Sequence, residues 1–201
     1  MANQKISALT AMTGANVDQT ADVLPIVDTS ATTTKKILIS ELAQALSVLS
    51  TEQATTSGTS ITFSSIPAWV KKITISLIGV STNGTSPLLL QVGDSGGIET
   101  TGYTSRASNI GAATSSTSGF LLNQSISAST DTQHGMIVLC LENASSFTWS
   151  QMGILNLTGS SANVQFSAGS KATSAALDRV SLTTVNGSDT FDAGAMNILY
   201  E

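Results

Sequence analysis

The chain has 201 residues, of which 10% are charged, 41% hydrophobic and 4% aromatic, and its formal net charge is -5. Its 8 basic residues are adjacent only at Lys35-Lys36 and Lys71-Lys72, which excludes a nucleic-acid binder dependent on clustered Lys and Arg. One Cys cannot close an intrachain disulfide, and one His beside it cannot complete a zinc site within one chain.

A mean hydropathy of +0.22 also excludes a disordered chain. Soluble domains average about 25% charged residues. This chain relies instead on 31 Ser and 28 Thr. Weak charge repulsion between copies suits a subunit held among many others.

The first residues, MANQKISALTAMTGANVDQT, carry no apolar run behind Lys5. A secretory leader is therefore not expected, and no stretch of about 18 apolar residues is present to insert into a membrane. Assembly is expected in a cytoplasm, where Cys140 stays reduced. Residues 1–50 read as a short N-terminal arm. Val23-Leu24-Pro25-Ile26-Val27 is an extended apolar run, since Pro25 lacks an amide proton and drives Leu24 toward extended geometry. Over 40–49 the spacing predicts the arm's one helix. Ser40 is its N-cap, Glu41 favours its positive start, and Leu42, Leu46 and Leu49 share a face at i, i+4 and i+7. A helix this short is not stable alone in water. It either caps its own sandwich or packs on copies or a docking partner, and the arm's few apolar residues favour the second. Leu24, Ile26, Leu42, Leu46 and Leu49 are the candidate docking residues.

Residues 51–58, TEQATTSG, read as a polar linker. From residue 59 to 201 the pattern has period two. Ile61 and Phe63 share a face, followed by Ile73, Ile75 and Leu77, then Leu88, Leu90 and Val92, then Phe120 and Leu122. Met136–Leu141 is apolar on both faces, which predicts a central buried strand. Phe147 and Trp149 share one parity, whereas Met152 and Ile154 share the other, which predicts a β-bulge near Ser150-Gln151. Val164-Phe166, Val180-Leu182 and Met196-Ile198-Tyr200 complete the set. Asn83-Gly84 and Asn186-Gly187 are strong hairpin signals, because both residues tolerate positive φ. The expected fold is mainly β: an antiparallel, jelly-roll-like β-sandwich over 59–201, preceded by the arm and its helix. Residues 104–118 are the longest stretch without alternation and read as an exposed loop tip or subunit contact. Trp69, Tyr103, Arg106 and Asn109 are the candidate receptor or subunit-contact residues.

Several motifs imitate catalytic chemistry. Gly93-Asp94-Ser95-Gly96-Gly97 spells a serine-protease nucleophile loop, yet the single histidine, His134, follows it in the chain. The same residues fit G-x-S-x-G, which requires a helix next. Ile98–Tyr103 reads as a strand instead, so a Gly-rich hairpin turn is expected. Asp94 and Glu99 are the nearest pair of carboxylates for glycosidase work, but acidic residues on neighbouring elements arise readily by chance. His134 could meet its copies on a threefold axis and bind a metal, although a solvated turn His explains it better. Five N-x-[ST] triplets, starting at Asn83, Asn123, Asn143, Asn156 and Asn186, follow from the Ser and Thr content. No catalytic, cofactor or metal site is expected.

The segments Lys5–Thr10, Ala21–Asp28 and Thr32–Ile37, with the sequences KISALT, ADVLPIVD and TTTKKI, resemble the N-terminal segment of tailed-bacteriophage virion and fibre-associated proteins. Residues 58–103 look like a β module of phage tail fibres and related appendages. Together these stretches cover about half the chain. The resemblance implies a virion protein, commonly a homotrimer. It would dock on other virion proteins of tail or capsid and touch a host-surface glycan or protein. A short tail fibre is the first reading, and a capsid decoration or head-fibre protein is the alternative.

Overall fold

The computed structural model describes residues 18, 21–28, 33–39, 42, 46–109, 111–159 and 162–201. The chain divides into two compact units, residues 1–48 and 49–201. In the first, β1 (Val23–Asp28) and β2 (Thr33–Leu38) form an antiparallel hairpin, with Leu24 opposite Ile37 and Pro25 opposite Lys36. The extended run around Pro25 is thus a strand, and a two-stranded ribbon offers the edge position that proline tolerates. Of the helix predicted over 40–49, Ser40, Glu41 and residues 43–45 lie outside the described residues. Its far end is corrected: Leu46-Ser47 form a turn and bend, and β3 spans Val48–Leu49. There the chain is already extended, and the Ser50 amide donates to the Ile198 carbonyl at 2.9 Å.

The second unit carries β4 (Gln53–Ala54), β5 (Ile61–Phe63), β6 (Lys72–Thr82), β7 (Leu88–Asp94), β8 (Gly97–Ile98), β9 (Thr104–Ser108) and β10 (Ala113–Ser116). It continues with β11 (Phe120–Leu121), β12 (Thr132–Asn143), β13 (Thr148–Thr158), β14 (Asn163–Ala172), β15 (Arg179–Thr184) and β16 (Phe191–Tyr200). The larger sheet runs β10-β9-β14-β13-β12-β6-β16, with β4 also on β16. The smaller runs β11-β7-β15-β5, with β8 on β7.

Alternation explains why these sheets stack. Ile73, Ile75, Leu77, Ile137, Leu139, Leu155 and Ile198 point inward from the larger sheet, and Leu88, Leu90, Val92, Phe120, Val180 and Leu182 from the smaller. They form one core, and each fully buried side chain contributes about 1.5–3 kcal/mol. The result is an antiparallel β-sandwich. Between β4 and β5, β5 and β6, β6 and β7, β8 and β9, β10 and β11, β11 and β12, β14 and β15, and β15 and β16 the chain crosses from one sheet to the other, which gives the jelly-roll-like character.

Local readings need correction. Residues 51–58 do not run free of the sheet. Ala54 pairs with Ala195, and the fully buried Thr55 donates its amide to Gly194 and its hydroxyl to Ala193. The two Asn-Gly corners are not hairpins between paired strands. Asn83-Gly84 leads from β6 to β7, and Asn186-Gly187 from β15 to β16. They brace each other: Asn83 donates its amide to the Thr190 carbonyl and accepts the Thr190 amide on its side-chain oxygen, both at 2.9 Å. Residues 104–118 hold β9 and β10, an antiparallel hairpin rather than a loop. Their apolar content is too low to show a period.

β12 is central, as expected, but buried on one face only. Ile137 and Leu139 are fully buried, whereas Met136 is 58% exposed and Cys140 is exposed. No bulge interrupts β13. Trp149, Gln151, Gly153, Leu155 and Leu157 all face inward, and Met152 and Ile154 face outward at 62% and 52% exposure. Its register with β14 is continuous from Thr148 opposite Ala172 to Leu157 opposite Asn163. The shift in parity comes from an apolar outer face. The register break nearby lies in the partner strand, between Leu141 and Asn143.

Some inward positions are polar. Gln133 is 1% exposed, and neither of its amide atoms has a hydrogen-bond partner among the described residues. An unpaired buried amide costs more than an apolar side chain of equal volume. Gln133→Met is therefore expected to stabilise the unit by about 1 kcal/mol and to raise its melting temperature by about 3 °C. Thermal denaturation followed by circular dichroism checks this; a lower melting temperature would show that Gln133 is satisfied. Among the described residues no helix is long and apolar enough to cross a membrane.

Candidate functional site

The β9–β10 hairpin closes one edge of the larger sheet and forms an open groove of about 560 Å³ against β14. Its position follows from the register. Arg106 lies opposite Ser115 on β10 and opposite Ala168 on β14. Alternation makes Thr104, Arg106, Ala168 and Ser170 outward residues, and all are exposed. Ser115, Ser116, Thr117 and Ser170 line the groove with hydroxyls, and Arg106 is its one charge. Arg106 makes no salt bridge among the described residues.

β14 offers the groove only Ala168 and Ser170 as outward side chains, with the inward-facing Gly169 between them. Gly169 faces β9 so closely that a Cβ would sit 2.5 Å from the Thr104 carbonyl oxygen and 2.9 Å from Cδ1 of Phe120. Bare backbone is what allows this approach.

Tyr103 supports the groove from beneath. It was expected as a contact residue, but its ring is buried, 2% exposed, at the start of β9. Its hydroxyl accepts the Val92 amide at 2.9 Å and bonds the Val92 and Glu99 carbonyls at 3.1 and 2.9 Å. Phe120 meets its ring edge-on at 5.0 Å, and the Lys171 ammonium lies 5.4 Å from the ring centroid. Burial pushes the Tyr103 phenol well above its usual value. Apolar surroundings and three backbone partners explain why the side chain turned inward: a tyrosine fills a core when its hydroxyl is satisfied.

A polar cluster lies beside it. Glu99 forms an ion pair with Lys171 and accepts the Ser174 amide at 2.7 Å. Asp94 accepts the Ser174 hydroxyl, and the Gly96 amide at 2.7 Å. The two carboxylates thus tie the segment after β14 to the β7–β8 hairpin. The Ser174 hydroxyl, then the Gly96 amide, hold Asp94 below its usual carboxylate value. For Glu99 burial acts upward, but Lys171 and Ser174 outweigh it and the net shift is downward. Both folded values lie below the unfolded ones. Their contribution is therefore complete above about pH 5 and is lost as pH falls through about 4 and below. Urea midpoints are expected to stay flat from pH 7 to 5 and to drop below pH 4; Glu99→Gln should flatten that drop.

The other candidates are dispersed. Trp69 is 42% exposed and packs against Tyr200 with the rings tilted and 6.0 Å apart, away from the groove lining. Asn109 shapes the β9–β10 turn, accepting the Gly111 and Ala112 amides at 3.1 Å and donating to Gln124 at 3.3 Å. Of the four candidates, Tyr103 and Arg106 share the groove. In the arm, Leu24 is 43% exposed, Leu42 40% and Leu46 59%. Ile26 belongs to β1, and Leu49, 67% exposed, to β3 instead of a helix face.

Gly93-Asp94-Ser95-Gly96-Gly97 is a hairpin turn. β7 ends at Asp94, Ser95 and Gly96 form the turn, and strand β8 follows where a nucleophile elbow would start a helix. His134 is on β12, where its Nδ1 accepts the Gly79 amide at 3.1 Å. Among the described residues no three His, Cys, Asp or Glu side chains gather as a metal site. No signal in the sequence marked Gly169 or the Ser115–Thr117 hydroxyls, because Gly and Ser are common throughout the chain. No family model matches the chain, and no curated protein or solved structure matches it either.

Proposed function

We propose that this chain is a non-catalytic structural protein of a bacteriophage virion, a short tail-fibre-type subunit. Its N-terminal arm docks on other virion proteins. Its β-sandwich head is displayed toward a glycan or protein of the host surface. The arm's resemblance to phage attachment segments supports the first part. The observation that carries the second is the groove: hydroxyls that both donate and accept, around one guanidinium without a salt bridge among the described residues, suit sugar hydroxyls and an acidic group among them. Division of the chain at residue 48 into a small hairpin unit and a large sandwich fits an anchor and a head.

Capsid decoration is the second reading. The apolar outer face of β12–β14 favours it, because a shell protein covers such surface with neighbours. Gold-labelled antibody on intact virions separates the two. Tail labelling, together with binding of the full chain to host cells that Arg106→Ala weakens at least about tenfold, supports the fibre. Label confined to the head, with no cell binding, supports decoration. Virions without label overturn both.

A further inference from the structure

The outer face of β12, β13 and β14 is apolar and open. Register places Met136, Ile154 and Phe166 side by side in one row, and Val138, Met152 and Ala168 in the next. Exposures are 58% for Met136, 62% for Met152, 52% for Ile154, 50% for Phe166 and 39% for Val164. Met136, Val138, Met152 and Ile154 surround a hollow of about 330 Å³. None of these outward positions carries a charge; Arg106, opposite Ala168 on β9, and Glu142, toward the end of β12, lie at the margin.

Such a face demands an occupant. From the fractional exposures and the usual size of these side chains, it presents about 600 Å² of apolar surface, at the upper end of what a monomer leaves open. Two such faces together would bury about 1,200 Å², the size at which specific interfaces begin.

We infer that a second copy of this chain covers this face. The uncharged centre of this face meets its like without repulsion and leaves Arg106 at the rim, whereas a charged partner would find nothing to pair with at that centre. Sheet faces stack at about 10 Å with interdigitated side chains, and the hollow offers a seat for an apolar side chain of the facing copy. Methionine, at two of the central positions, adapts to an irregular counterpart. A buried charge on this face would be unpaired twice over in a symmetric contact.

The inference rests on reading the chain as an assembling subunit, and it is tested without the virion. Sedimentation of the full chain at about 100 µM, a concentration that populates contacts of micromolar affinity, should give a closed assembly. Ile154→Asp should weaken association at least about 100-fold. The nearby outward Ser150→Asp should leave it intact. Far-UV circular dichroism confirms that each variant is folded; if Ile154→Asp is not, the milder pair Met152→Ser and Phe166→Ser replaces it. A monomeric wild-type chain overturns the inference, as does an assembly that folded variants at 152, 154 or 166 leave unchanged. So does a monomer that binds another virion protein through this face. In each of those cases virion labelling can still succeed, so the interface and the proposed function fail separately.

Discussion

Replacing Glu99 with Ala should destabilise the sandwich by about 3 kcal/mol and lower its melting temperature by about 9 °C. The effect comes from what is left behind. Lys171 has a side chain only 7% exposed, lying over the Tyr103 ring. Without Glu99 its ammonium keeps one backbone acceptor, the Ala172 carbonyl at 2.7 Å. Removing one partner of a buried pair costs far more than the pair contributes over an apolar substitute. The double variant Glu99→Leu with Lys171→Met should therefore regain most of the loss. Thermal denaturation of both variants at pH 7 provides the check. If the double variant is as unstable as the single one, packing of the aliphatic stems matters more than charge. The cluster lies under the groove, so the same variants should also weaken any ligand held by Arg106 and the neighbouring hydroxyls.

Fold class was legible because the core residues alternate strictly. Ile73, Ile75 and Leu77, or Leu88, Leu90 and Val92, can be buried together only from one face of a strand. Topology was not legible. Asn83-Gly84 and Asn186-Gly187 have the chemistry of tight turns, and that chemistry serves equally at corners between sheets. The β9–β10 hairpin escaped notice because Thr104–Ser108 and Ala113–Ser116 contain no large apolar residue. The strand character of β9 depends on pairing with β14, a long-range fact, and that of β10 on pairing with β9.

Met152 and Ile154 are the instructive error. Their parity conflicts with Trp149, and a bulge would have restored an apolar interior with a polar exterior. The strand runs straight instead, and the conflict is real: both faces are apolar and only one is covered among the described residues. A period-two pattern that breaks on hydrophobic residues therefore has two meanings. One is a kinked strand, and the other is a strand whose outer face has a use. The groove left less trace. Arg106 stood out as a lone charge, but its neighbours are Ser, Thr, Ala and Gly in a chain rich in all four. Tyr103 looked like a surface aromatic because sequence does not reveal the three backbone groups that hold its hydroxyl inside.

Gly169→Val should cost about 3 kcal/mol, in the range where a named steric mechanism is required, and should distort the groove. The site has no slack. A Cβ there meets the Thr104 carbonyl at 2.5 Å, Phe120 at 2.9 Å and the Ser105 Cα at 3.1 Å. Two of these are backbone atoms of β9, so a side chain fits only if β9 moves away from β14. That movement breaks the pairing of Gly169 with Ser105, or else it shifts Phe120, which is fully buried and braces Tyr103. Either response loosens the hairpin that carries Arg106. Hydrogen exchange should report faster amides across Thr104–Ser108, and urea unfolding an earlier midpoint, while β12 and β13 stay protected. Ala168→Ser, one residue away and pointing outward, should change stability by less than about 0.5 kcal/mol. If Gly169→Val unfolds and exchanges like the parent chain, then β9 does not approach β14 this closely. The shape of the groove would then not depend on how closely β9 and β14 approach.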